Sequence, residues 1–174
     1  MRKQRFPFSR ADRGCAKKTH PLGMEDGSIP DSSITASSQY SQQYAPYYGR
    51  LNNQRVSGIH WGAWAAKTVR KAEHLQVDLG RVTWITHVAT QGRPIGNNDQ
   101  WVSEYSVEYS LRGDQWQSYQ DGNGVTKIFP GNSDRTTVVK NEFSPFIKAR
   151  FVRVVVQAWY DHITMRAEFY GCAA

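Results

Sequence analysis

The chain has 174 residues, enough for one domain with a substantial core, and 39% of them are hydrophobic. Its formal charge is +7, but the first fourteen residues, "MRKQRFPFSRADRG", hold five Arg/Lys against one Asp, so the tail alone supplies +4 of it. With no basic helix, aromatic RNA-binding motif or Cys/His finger beside that charge, nucleic acid is excluded as a partner. No run of eighteen apolar residues exists to cross a membrane as a helix.

Residues 1–14 are expected to be a disordered basic tail or an extension derived from an expression vector, because they lack the apolar stretch of a signal peptide. Two cysteines, Cys15 and Cys172, bracket the rest of the chain. Metal ligation would need further ligands nearby. One disulfide joining the ends is the favoured pairing, which places the protein in an oxidising, extracellular compartment; two free thiols are the alternative. No Asn-x-Ser/Thr acceptor for glycosylation is present.

Residues 37–51, "SSQYSQQYAPYYGRL", carry four tyrosines and three glutamines around Pro46. A buried strand would hold more Val, Ile and Leu, and a helix would not tolerate that proline in its interior, so an exposed contact loop is expected. "GAWAAKTVRKAE" (62–73) is the one weakly helical segment, diluted by Thr68 and Val69. "LQVDLG" follows, with Leu75, Val77 and Leu79 on one face and Gln76 and Asp78 on the other, the period of a half-buried strand.

"WITHVATQG" (84–92) is a less regular strand, and "EYSVEYS" places Tyr105, Val107 and Tyr109 opposite Ser106, Glu108 and Ser110. "RFVRVVV" (150–156) follows, and in "ITMRAEFYG" Ile163, Met165, Ala167 and Phe169 alternate with Thr164, Arg166 and Glu168. Turn signals at "LRGDQ" (111), "DGNG" (121) and "PGNSD" (130) separate these runs. Short strands between closely spaced turns predict an antiparallel sandwich or barrel, all-β, with no repeat or second domain.

The ordered motifs "PLGMEDGSIPDSSITASSQYS", "GRLNNQ", Trp61, Trp64, "LQVDLG", "TQGR", "YSVEYS", Trp116, "FPGNSDRTTVVKN", "ARFVRV" and "MRAEFYGC" carry a resemblance. Over residues 15–172 the chain resembles the discoidin, or coagulation factor V/VIII type C, domain family; residues 173–174 lie beyond it. "TQGR…YSVEYS" is most similar to retinoschisin, "ITASSQYS" to the neuropilin b domains and "KIFPGN" with "ARFVR" to lactadherin. The resemblance implies a jelly-roll β-barrel of about eight antiparallel strands with its ends close together. It also implies three projecting spike loops at one pole that bind ligand, here about 39–48, 54–61 and 93–101.

Mapped onto those loops, the expected ligand-binding residues are Tyr40, Gln43, Tyr44, Arg55, His60, Arg93, Ile95, Asn97, Asn98, Asp99 and Trp101. Aromatic faces can stack on the C–H surface of a sugar while amides, carboxylates and guanidinium groups bond its hydroxyls, so a galactose-type glycan is the first expectation. Tyr47, Tyr48 and Trp101 are also suited simply to packing beneath the loops. Relatives that bind phosphatidylserine present bulky apolar tips. This shorter first spike offers Gln42, Gln43 and Tyr44 instead, and the third offers Ile95, so an anionic membrane surface is the alternative. Collagen is a third: relatives that bind it use an Arg after "TQG", matched by Arg93, and a first-spike Trp, where Tyr40 stands. In a neuropilin-like pocket Tyr40 would be an aromatic wall, but the acidic position falls near Val69.

No HExxH, GxSxG, phosphate-binding loop or EF-hand spacing occurs among the five histidines and the acidic residues. Catalysis and a cofactor are therefore not expected. Some relatives hold a structural calcium ion, and its ligands are not assignable in this sequence. The only two cysteines are needed to close the domain, so no covalent oligomer is expected.

Overall fold

The computed structural model describes residues 10–96 and 98–174. One helix, α1 (Arg10–Ala16), precedes nine strands: β1 (His20–Pro21), β2 (Ile34–Ala36), β3 (Trp64–Ala65), β4 (His74–Gln91), β5 (Trp101–Ser110), β6 (Gln117–Ser118), β7 (Phe129–Pro130), β8 (Val139–Tyr160) and β9 (Thr164–Ala173). Every strand pair is antiparallel, and the main path runs β1-β9-β4-β8-β5-β6. Among the described residues no helix is long and apolar enough to cross a membrane.

The jelly roll is built from two long strands that bend. In β4 the ladder with β8 breaks between Asp78 and Thr83, where Gly80 takes φ +79°. The first half of β4 then pairs with the second half of β8, and its second half with the first half of β8 and with β9. Doubling back in this way closes a core that contains Leu75, Val77, Ile85, Val107, Phe129, Phe143, Val154, Met165 and Phe169.

Three expectations change. Residues 62–73 form no helix: Ala63, Trp64, Ala65 and Ala66 are all buried and run extended beside β9, with the Trp64 indole N–H donating to Ser38 O. Burial of four consecutive residues suits an extended segment covered on both sides, not a helix with a polar face. The expected tail boundary falls within α1, which carries Cys15 into the domain; residues 1–9 lie outside the described region. In β9 the alternation is real but both faces are buried, with Thr164 and Glu168 at 0% exposure and Arg166 at 1%.

The polar face of β9 organises the loops. Arg166 donates from Nε to Gly92 O, from Nη1 to Asn53 O and from Nη2 to Arg135 O, all at 2.8 Å. Burial lowers its pKa to about 10, which still leaves it charged at neutral pH. Glu168, its pKa raised by burial, accepts the N–H groups of Met24, Glu25 and Phe169.

Cys15 and Cys172 are bonded to each other, with Cα atoms 5.6 Å apart and a sequence separation of 157. On the chain-entropy model, closing so long a loop stabilises the fold by about 5 kcal/mol. The Cys15→Ser/Cys172→Ser variant is expected to lose about 4–5 kcal/mol in urea unfolding; a loss below about 1 kcal/mol would show that α1 and β9 are held together by packing alone.

Candidate loop-pole binding site

The three expected loops converge at one end of the barrel, and local chemistry explains each neck. In the first, Tyr40 N donates to Ala65 O and the chain then makes two 3-10 turns, Gln42–Tyr44 and Pro46–Tyr48. Pro46 opens the second turn, where a missing N–H costs nothing. Arg50 fixes the loop's end through Tyr47 O, Met24 O, Ile29 O and Asp31.

The second loop closes through the pairing of Val56 with His60. Gly62 has φ +74°, and a Cβ there would lie 2.4 Å from Gln54 C, so only glycine admits this approach. The third closes where Arg93 N donates to Gln100 O at 2.9 Å. The preceding "TQG" supplies its footing. Thr90 Oγ1 donates to Asn132 Oδ1, and Gln91 Nε2 donates to Thr136 O. Asn52 N donates to Gln91 Oε1, and a Cβ on Gly92 would lie 2.7 Å from Gln100 O.

Between these necks lies a groove of about 340 Å³ whose walls include Tyr40, Gln43, Tyr44, Arg55, Arg93 and Asn98. Its centre is Trp61. Tyr44 stacks on the indole with centroids 6.1 Å apart, and the guanidinium groups of Arg55 and Arg93 sit 4.1 and 4.9 Å from its centroid. Such cation–π contacts hold the two guanidinium groups over the ring. Trp61 Nε1 also donates to Gln43 Oε1 at 3.0 Å, tying the second loop to the first. Burial raises the Tyr44 hydroxyl pKa, with the Arg93 charge opposing, so it stays protonated at neutral pH.

Tyr40 stands at the groove's edge, 61% exposed, with edge contacts to Tyr44 and His162. Beneath it a smaller recess includes Ala65, Gln100 and His162. Gln100 Oε1 accepts from Arg93 Nη1 and Thr164 Oγ1. His162 Nε2 lies 2.8 Å from Ala66 O.

Of the expected residues, Tyr40, Gln43, Tyr44, Arg55, Arg93 and Asn98 meet around the groove. The others are used differently. His60 stacks on Tyr48 at 4.1 Å and accepts Gly62 N–H at Nδ1; burial lowers its pKa, so it is neutral at pH 7. Asp99 pairs with Arg135 on the outside, and Trp101 stacks on Tyr160 at 4.5 Å. Ile95 projects, 73% exposed. Asn97 lies outside the described residues.

Trp61, Gln100 and His162 were not anticipated. Trp61 closes the second expected loop and Gln100 lies in the third, so both were within reach of the loop assignment; His162 carries no local signal, since only the fold brings it beneath Tyr40. Among the described residues no three His, Cys, Asp or Glu side chains converge as a metal cage, so no calcium ligand is assigned.

The family model of the F5/8 type C domain matches residues 33–169. The chain belongs to the F5/8 type C domain family. This F5/8 type C domain is 42% identical to bovine (Bos taurus) lactadherin over 91% of the chain and 37% of that protein. It is 38% identical to human (Homo sapiens) coagulation factor V, over 91% of the chain and 7% of that protein. It therefore spans well under half the length of these relatives. Discoidin II from Dictyostelium discoideum superposes with a TM-score of 0.72 at 28% identity, over 81% of this chain and 55% of that one. A family 32 carbohydrate-binding module of NanJ from Clostridium perfringens, solved in complex with galactose, shares the fold at TM-score 0.55 and 18% identity, over 82% and 96% of the chains.

Two glycines with nearly equal φ separate backbone cost from steric cost. Gly58→Ala (φ +77°, nothing within 4 Å of the added Cβ) is expected to cost about 1 kcal/mol. Gly62→Ala must also push the Gln54 backbone aside, and is expected to cost at least about 2–3 kcal/mol in chemical denaturation. Equal losses would refute the close-approach argument.

Proposed function

We propose that this domain acts outside the cell as a non-catalytic adhesion module whose loop pole takes a carbohydrate, of the galactose type. The single observation carrying this reading is Tyr40, an exposed ring at the edge of a groove lined with directional hydrogen-bonding groups: Gln43, Arg93 and Asn98. A pyranose offers an apolar C–H face to such a ring and hydroxyls to the amides and guanidinium. Arg93, 5% exposed and held over Trp61 and Tyr44, is pre-positioned, so little side-chain entropy is lost when it binds. The galactose complex of the NanJ module, a protein of the same fold, agrees with this chemistry.

The intramolecular disulfide fits an oxidising, extracellular setting and uses both cysteines of the chain, which leaves none for a covalent oligomer. Single sugar sites are weak, so adhesion would draw on several copies or several domains.

A second reading, attachment to an anionic phospholipid surface, has one observation in its favour. Val56, Ile59 and Ile95 in the second and third loops are 44%, 60% and 73% exposed, beside Arg55. Burying such side chains in a bilayer is worth about 1.5–3 kcal/mol each. A collagen-like protein ligand is less well served, because the Arg93 expected to meet it lies within the groove wall.

A glycan array and a pull-down on phosphatidylserine vesicles, run with Tyr40→Ala and Ile59→Asp/Ile95→Asp variants, separate the readings. Sugar binding predicts retention on galactose-terminated glycans, competition by free galactose and a loss of about tenfold in Tyr40→Ala, with the aspartate variant unaffected. Vesicle binding that the aspartate variant abolishes, with an empty array, would replace the carbohydrate reading by the membrane one.

A further inference from the structure

The rim groove is not the only concavity. Strand β5 leaves the loop pole at Trp101 and ends at Ser110, nine steps or about 30 Å away. There a cleft of about 420 Å³ opens beside the turn 110–115, with Tyr109, Arg112, Gln115, Trp116, Gln117 and Lys148 in its wall. That volume lies within the range of small-ligand sites. Nothing in the rim's chemistry uses it.

We propose that this opposite pole holds a second carbohydrate site, one for an acidic sugar. Trp116 lines the cleft while the Arg153 guanidinium, itself fixed by a 2.8 Å bond to Gln76, covers one face of its ring at 3.6 Å. Phe151 meets the same ring edge-on with centroids 6.4 Å apart, and the part of Trp116 that lines the cleft offers an apolar surface beside a cation, which favours a sugar carrying negative charge. Arg112 and Lys148 are both exposed in the wall. Among the described residues neither has a carboxylate within ion-pair distance, Lys148 resting instead 5.6 Å from the Trp84 ring centroid, unlike Arg150, which is bonded to Asp78 through both Nε and Nη2. They supply two cations for a sulfate or carboxylate, and Gln115 and Gln117 supply amides for hydroxyls. The turn that presents Arg112 is fixed, because Ser110 Oγ accepts the N–H groups of Arg112 and Gly113. Asp114 is the one acidic wall residue; it sets a limit on how many anionic groups the cleft accepts and can bond a sugar hydroxyl.

A domain with sites about 30 Å apart at opposite poles would bridge two ligands without oligomerising. The site is independent of the rim, so each can fail alone.

The test titrates the whole chain with a heparin-derived oligosaccharide, which carries sulfate esters, and with a hyaluronan oligosaccharide, which carries carboxylates only. Binding of either supports the site, and the stronger binder identifies the acid. Arg112→Glu/Lys148→Glu changes only exposed residues and is expected to weaken that binding by at least about tenfold. Trp116→Ala is expected to weaken it comparably, and Tyr40→Ala to leave it unchanged. If neither oligosaccharide binds, or if Arg112→Glu/Lys148→Glu binds as tightly as the parent because residues 1–14 hold the polymer, the proposal is wrong. It is equally wrong if duplex DNA displaces the sugar while Trp116→Ala has no effect, since the pole would then be reading charge alone.

Discussion

One buried cation holds the loop pole of this molecule together. Arg166 spends all three of its guanidinium nitrogens on backbone carbonyls, one at the foot of the second loop, one at the foot of the third and one in the 130s turn that underlies both. Each bond from a charged donor is worth about 1.5–3 kcal/mol, and leaving such a carbonyl buried and unpaired costs about 1–3 kcal/mol. A guanidinium suits the task because its donors diverge in a fixed plane; a lysine ammonium could not reach three carbonyls arrayed in this way. Gln91 and Arg50 extend the same arrangement, the first clasping Asn52 and Thr136, the second gathering Tyr47, Met24 and Ile29. The loops are thus anchored at their feet through main-chain atoms, which leaves their tips free to vary.

Above this anchored layer the side chains do something different. Trp61, Tyr44, Arg55 and Arg93 form a stack in which aromatic faces position two cations beside the groove. Gln43 and Gln100 connect that stack to neighbouring loops and keep polar groups facing the groove. The feet are thus held through main-chain carbonyls and the stack through side chains.

The sequence revealed the barrel where a strand buries one face and wets the other: Leu75 and Val77 are buried while Gln76 and Asp78 are half-buried, as the alternation implied. It misled where loops cover the outer face. Arg166 and Glu168 occupy positions that in an open strand would meet water, and only the packing of distant segments over them makes their charges internal. Residues 62–73 have helical composition, but Ala63 to Ala66 lie against β9, and tertiary burial overrides propensity. The loop site was legible in part: Tyr40, Tyr44, Arg55 and Arg93 come from segments near one another in the motif order. His162 reaches it from the turn between β8 and β9, and no local pattern announces that.

Everything at the loop pole depends on Arg166 uniting the loops. Hydrogen–deuterium exchange on Arg166→Lys tests this directly. Faster exchange is expected in 50–55, 92–96, 98–100 and 132–137 together, with β5 and the core of β8 unchanged. Acceleration confined to one of those segments, or spread evenly through the barrel, would contradict it.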